Sequence, residues 1–170
     1  VSILEKTHGE NCQQIDDHLK IKLQFQNKEE NFKDELKTIQ KLYAVAVKQN
    51  GENSIYAAEK LNMEADCLIR LGKFKEAEVA CTKALKICRT EMSHENPKLI
   101  STCRRLALIY SNLQKPDAAE QLLIEAKGYA AHNALNEDLH EEILKMLCSQ
   151  YMALGSYKKA EINLLELLKI

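Results

Sequence analysis

A short polar phrase recurs along the chain at almost constant spacing, and no other feature restricts its fold as tightly. Gly9-Glu10-Asn11 returns as Gly51-Glu52-Asn53, then as His94-Glu95-Asn96, then as Asn136-Glu137-Asp138, in steps of 42, 43 and 42 residues. Each copy ends on Asn or Asp and precedes a stretch with helical apolar periodicity, so its last residue is expected to cap that helix through a side-chain oxygen. Pro97 follows the third copy at a first-turn position, where a missing N–H costs nothing. Gln14 and Glu141 stand three residues beyond the first and fourth caps, as in a capping box. Gly9 and Gly51 suit the left-handed residue that closes the preceding helix.

A second phrase runs half a period out of step. Leu71-Gly72-Lys73-Phe74-Lys75-Glu76-Ala77-Glu78 is echoed by Leu154-Gly155-Ser156-Tyr157-Lys158-Lys159-Ala160-Glu161, with a weaker copy at Leu113-Gln114-Lys115-Pro116-Asp117-Ala118-Ala119-Glu120. Here the break is short, so two helices fold back on one another, and the alanine three residues past the aromatic lets them approach closely. Two interleaved punctuation marks per period define a helix-turn-helix unit. One such hairpin cannot bury its own apolar face, so units of this length stack.

Composition agrees. Only two prolines and five glycines interrupt 170 residues, and 45% of the chain is hydrophobic, which favours long helices over many short strands. The reading is all-α. With 24 basic and 25 acidic residues well mixed, the chain lacks the basic stripe of a duplex binder, so no nucleic-acid partner is expected. No apolar stretch reaches the roughly 18 residues of a membrane helix, so no membrane insertion is expected. The six cysteines include no CxxC and no zinc-finger Cys/His spacing. Cys67, Cys81, Cys88, Cys103 and Cys148 fall within amphipathic helical patterns and read as small buried thiols of a reducing compartment, the cytoplasm. No metal site and no cofactor is expected.

The run LGKFKEAEVACTKALKI at 71–87 resembles a tetratricopeptide repeat. Gly72, Phe74, Ala77, Ala84 and Leu85 match its small and aromatic positions, Ala65 fits the small position of the preceding helix, and Cys81 takes a usually aromatic one. The ordinary period is 34. The longer form, with a phrase like HENP before each hairpin, is similar to the repeats of kinesin light chain and related scaffolds. The resemblance implies a right-handed superhelical solenoid of stacked antiparallel hairpins. Residues 1–9 would end a preceding repeat, 10–50 form a degenerate repeat 1 (Phe32 kept, Glu35 in place of the alanine), 51–93 repeat 2, 94–135 repeat 3 and 136–170 a truncated repeat 4. Both ends read as cuts through a longer protein with flanking domains.

No GxGxxG, GxxxxGK[ST], GxSxG or HExxH is present. Glu141 and Glu142 are adjacent, as are Asp16 and Asp17, so neither pair converges on one helical face. His140 reads as a solvated first-turn residue, and His18 and His132 lack local partners. The chain is read as no enzyme.

The resemblance places the binding surface on the concave face, lined by the first helix of each hairpin. That projection gives Asp17, Lys20 and Gln24; Glu59, Asn62, Asp66 and Arg70; Ser101, Arg104, Leu108 and Asn112; and Glu142, Lys145 and Ser149. Lys20, Asn62, Arg104 and Lys145 share one helical position in successive repeats. One amide and three cations could hold an extended peptide, the amide on its backbone and the cations on its acidic groups. The expected function is a scaffold that binds a peptide or helix of a partner protein, with an acidic linear motif as its finer form. Asp66 stands where a two-carboxylate clamp would need an uncharged amide, which argues against a chaperone C-terminus as ligand. The alternative is a structural arm for oligomerisation or autoinhibition, packing through edge residues such as Ile69 and Leu108.

Overall fold

The structure is a computed structural model that describes residues 18, 19, 21–23, 31–131 and 136–169. Among these, residues 18, 19 and 21–23 are helical, and seven helices follow in order: α1 (Phe32–Asn50), α2 (Ile55–Arg70), α3 (Phe74–Glu91), α4 (Pro97–Asn112), α5 (Pro116–Ala130), α6 (Glu137–Ala153) and α7 (Tyr157–Leu167). No strand occurs among the described residues. Two compact units divide the chain, Val1–Ile87 and Cys88–Ile170, with the boundary inside α3.

The turns explain why helices alternate with short breaks. After α2, the Lys73 N–H reaches the Leu68 carbonyl at 2.9 Å and the Gly72 N–H reaches Ile69 at 2.9 Å, the paired bonds of a Schellman closure. The same pair closes α4 (Lys115 to Tyr110, Gln114 to Ser111) and α6 (Ser156 to Tyr151, Gly155 to Met152). The closing residue needs positive φ, which Gly72 (70°) and Gly155 (67°) reach without cost and Gln114 (58°) reaches with a side chain attached. The weak copy of the second phrase is therefore a full structural equivalent, carried by a residue that pays for the conformation.

The other phrase is placed differently from the sequence reading at two of its three described copies. Asn96 does cap α4, accepting from the Lys98 N–H at 2.9 Å, with Pro97 at the first helical position. The α2 cap is Ser54, not Asn53: its extended backbone (ψ 153°) lets Oγ accept from the Ala57 N–H at 3.2 Å. The α6 cap position falls on Asn136, so Asp138 is already helical and Glu141 makes no capping box. Asn136 is fully buried and its amide donates instead to the Glu95 carbonyl at 2.9 Å, tying the phrase before α6 to the phrase before α4. Gly51 ends α1 through an N–H bond to Val47 at φ 87°, ψ 159°, a positive-φ conformation that favours glycine though its ψ is not that of the left-handed helix. Gly9, Asn11 and Gln14 lie outside the described residues.

In the first unit Leu19, Leu23, Ile39, Leu42 and Cys67 form a buried cluster, flanked by Phe32, Leu36, Val45, Met63 and Leu71. In the second unit α4 packs on α5, α6 on α7, and α5 on α6. Leu99, Ile100, Cys103, Ile109, Leu123, Ile143, Leu144 and Leu147 are buried there. Each side chain of this size contributes about 1.5–3 kcal/mol on leaving water, so apolar burial dominates the stability of both units.

Candidate partner-binding face

Lys20 and Gln24, the first members of the expected row, lie outside the described residues, as does Asp17. In the first unit α2 carries Asn62 and Asp66, both half-buried, and Arg70, which is exposed. Arg70 does not project freely. Its guanidinium bonds the carboxylate of Glu35 on α1 and lies 4.8 Å over the Phe32 ring. Glu35 is only 2% exposed, and a buried carboxylate without a cation is costly. Arg70 thus compensates the residue that replaces alanine in the degenerate repeat.

In the second unit Arg104, Leu108 and Asn112 follow at four-residue steps along α4 and so share one face. Leu108 and Asn112 are exposed, and the Asn112 amide returns to the Leu108 carbonyl at 2.9 Å. α6 lies alongside with Lys145 and Ser149 exposed. Arg104 bridges the two helices, its Nη1 lying 2.9 Å from Glu142 Oε2. Lys145 pairs with Glu141 one turn earlier on its own helix. Each cation of this face therefore faces a carboxylate of α6, and the face is balanced in charge where the sequence reading gave it a positive excess. Glu142 was projected onto this face, but not as a partner of Arg104. The role of Glu141 was missed, although its position four residues before Lys145 is the favourable helical arrangement for an ion pair.

His140 also departs from expectation. It is buried, 7% exposed, because α7 folds back and places Glu166 Oε1 at 3.1 Å from its Nε2. Lys127 of α5 reaches the other Glu166 oxygen at 2.6 Å and the Asn163 amide oxygen at 3.0 Å. Burial alone would raise the Glu166 pKa, but the hydrogen bonds and charges of Lys127 and His140 outweigh it and hold the carboxyl below its ordinary 4.5. His18 is exposed, and His132 lies outside the described residues.

The thiols are poor nucleophiles. Burial, reinforced by the Glu35 charge, pushes Cys67 up to about 11, and burial with the Glu125 charge pushes Cys103 up to about 12. Cys67 donates to the Phe32 carbonyl at 3.1 Å and Cys148 to the Ala160 carbonyl at 3.6 Å. Cys67, Cys103 and Cys148 carry free thiols, and Cys81 and Cys88 are buried. Among the described residues no three His, Cys, Asp or Glu side chains converge as metal ligands, and none of the helices is long and apolar enough to cross a membrane.

Residues 56–127 match the family model of the tetratricopeptide repeat, a stretch that runs from α2 into α5. No curated protein matches the chain in sequence. Among solved structures, BtubC (BKLC) from P. vanneervenii superposes with a TM-score of 0.85 at 16% identity over 97% of this chain, which spans 66% of that protein. The nearly identical TPR-like repeats of a Podosopora anserina protein described as kinesin light chain give 0.77 at 15% identity, over 95% of this chain and 76% of that one. PcrH, solved in complex with the chaperone binding region of PopD, gives 0.62 at 19% identity, over 81% of this chain and 91% of PcrH. The fold is that of a tetratricopeptide-repeat array.

Proposed function

We propose that the chain is a non-enzymatic interaction module that takes a peptide or helix of a partner protein on its first-helix faces, in the groove that stacked hairpins present. The observation that carries this reading is the α4–α6 face, where exposed Leu108, Asn112 and Ser149 adjoin the Arg104–Glu142 bridge. Its apolar anchor, amide, hydroxyl and ion pair are what an extended peptide or an amphipathic helix uses. The fold shared with PcrH, a protein solved with a partner segment bound, supports it. For the first unit by itself the same proposal rests on Asn62 and Asp66 of α2, with Lys20 and Gln24 earlier in the chain.

An acidic linear motif is its finer form. Such a motif would substitute its own carboxylates for Glu142 and Glu141 on Arg104 and Lys145, an exchange that costs little because exposed pairs are worth only about 0–1 kcal/mol. Free, high-pKa thiols support a reducing compartment, the cytoplasm. Exposed Leu108 also suits an oligomerisation arm. Light scattering that finds a monomer at every concentration removes that alternative.

Panning a random-peptide library against the protein tests the reading. Enriched peptides should lose binding to Arg104→Glu while its helical circular dichroism stays unchanged, and acidic residues should be enriched if the finer form holds. Peptides that bind Arg104→Glu as well as the native protein would overturn it.

A further inference from the structure

The exposed faces of α1 and α3 carry lysines in one register, a repeat apart. On α1, Lys33, Lys37, Lys41 and Lys48 share the side opposite the buried Ile39, Leu42 and Ala46, because steps of four, four and seven residues return to one helical face. One period on, α3 sets Lys75, Val79, Lys83 and Lys86 opposite the buried Ala77, Cys81 and Ala84. All seven lysines are exposed, and equivalent positions of stacked repeats fall on one face. α3 has described helices before and after it in the chain, yet its row is open at the same places as that of α1. The rows belong to the first unit, which runs to Ile87. At the places of Lys75, Val79 and Lys83, α5 has Asp117, Gln121 and Glu125, and α7 follows Lys158 with Ile162 and Glu166.

Helix stability does not account for these rows. Lys33 and Lys75 each stand second in their helix, in the first turn, where the macrodipole favours acids. Lys33, Lys37 and Lys41 repel one another at four-residue spacing, and Lys83 repels Lys86 at three. Asp34 meets Lys37 at 3.1 Å and Glu76 meets Lys73 at 2.9 Å, but exposed pairs of this kind are weak. The same local cost at the same place in two successive repeats marks a surface shaped by something other than folding. Its chemistry selects the occupant. Ammonium groups are hydrated point charges without the arginine fork that grips phosphate. The rows hold no aromatic ring on which a base could stack, and no Trp, Phe or Leu that could enter a bilayer. Lysines one turn apart advance about 6 Å along the axis, close to the step of glutamates four apart in a helix or of alternate residues in an extended chain. We infer that the lysine rows of α1 and α3 are a docking surface for an acidic segment of a partner protein, a run of Asp or Glu read by charge and spacing.

Fluorescein-labelled dodecaglutamate is the probe, titrated against the 170-residue protein by fluorescence anisotropy. Saturable binding is expected, weakening about tenfold as sodium chloride rises from about 50 to about 300 mM, because exposed charges are screened. Lys33→Glu, Lys75→Glu and Lys83→Glu combined should weaken it about thirtyfold or more, by setting like charges against the probe. All three positions are exposed, and two lie in first turns that favour acids, so this variant should keep the native melting temperature. Arg104→Glu should leave the titration unchanged, which separates this surface from the α4–α6 face. Absence of saturable binding, equal binding by the triple variant, or loss of binding on Arg104→Glu would each overturn the inference. So would tighter binding, through the same lysines, of oligouridine or of phosphatidylcholine vesicles with about 30% phosphatidylserine, since the occupant would then be a nucleic acid or a lipid surface.

Discussion

The two units place their charges in opposite ways. The first buries one carboxylate, Glu35, and answers it with one cation, Arg70, held against an aromatic ring. The second shares its carboxylates among several donors along helix seams. Glu120 accepts from Tyr151 and Lys159, Glu125 from Arg89 and Tyr129, and Glu166 from Lys127 with His140 beside it. Loss of Arg70 leaves Glu35, 2% exposed, as a buried carboxylate with little water to replace the cation. A shared carboxylate loses one contact and keeps another.

The largest expected effect is accordingly in the first unit. Arg70→Ala should cost roughly 3 kcal/mol in chemical denaturation, since Glu35 is left buried and uncompensated. Glu35→Ala in the same chain should recover most of that loss, by restoring the alanine its repeat position favours. Failure of the double variant to recover would place the cost in the Phe32 contact instead.

The second unit should yield less to a single change. Glu120→Ala should cost about 1–2 kcal/mol, chiefly from the Tyr151 hydroxyl losing its acceptor. Acid probes the same seams without mutation. Glu120, held down first by the Lys159 and Tyr151 hydrogen bonds, and Glu166 both lie below their ordinary 4.5 in the folded protein. Groups depressed on folding stabilise fully above the unfolded value and lose that stabilisation as pH falls through the folded one. The melting temperature should therefore hold above pH 4.5 and drop below it, and Glu120→Gln should make the drop shallower. A melting temperature flat to pH 3 would remove these carboxylates from the account.

Smaller still is the turn after α4. Gln114→Gly should stabilise by about 1 kcal/mol, because glycine takes positive φ freely, whereas the same swap has no counterpart at Gly72 or Gly155. Arg104→Ala should cost only about 0.5 kcal/mol, as a partly exposed pair. A cost of several kcal/mol would reclassify the Arg104–Glu142 bridge as a structural strut rather than part of a binding face.

Local periodicity carried most of the fold. Helices, short turns and the Asn96-Pro97 start are readable because propensity, capping and breaker residues act within a few positions. The caps at Ser54 and Asn136 were misread because Glu52-Asn53-Ser54 and Asn136-Glu137-Asp138 each offer more than one oxygen-bearing side chain. Backbone geometry chooses among them. The candidate face was less legible. Which residues lie on one side of α4 follows from spacing, but Arg104 finding Glu142, Arg70 finding Glu35, and Glu166 covering His140 are contacts between different helices, far apart in sequence. Nothing within one helical period announces them.

One consequence concerns the cysteines. Cys67 sits in the first unit and Cys103 in the second, each buried and held protonated far above neutral pH. Neither can meet an alkylating reagent until its surroundings open, so the speed at which each thiol is consumed clocks the opening of its own unit. Mass spectrometry after timed alkylation would read two local stabilities from one unmodified chain.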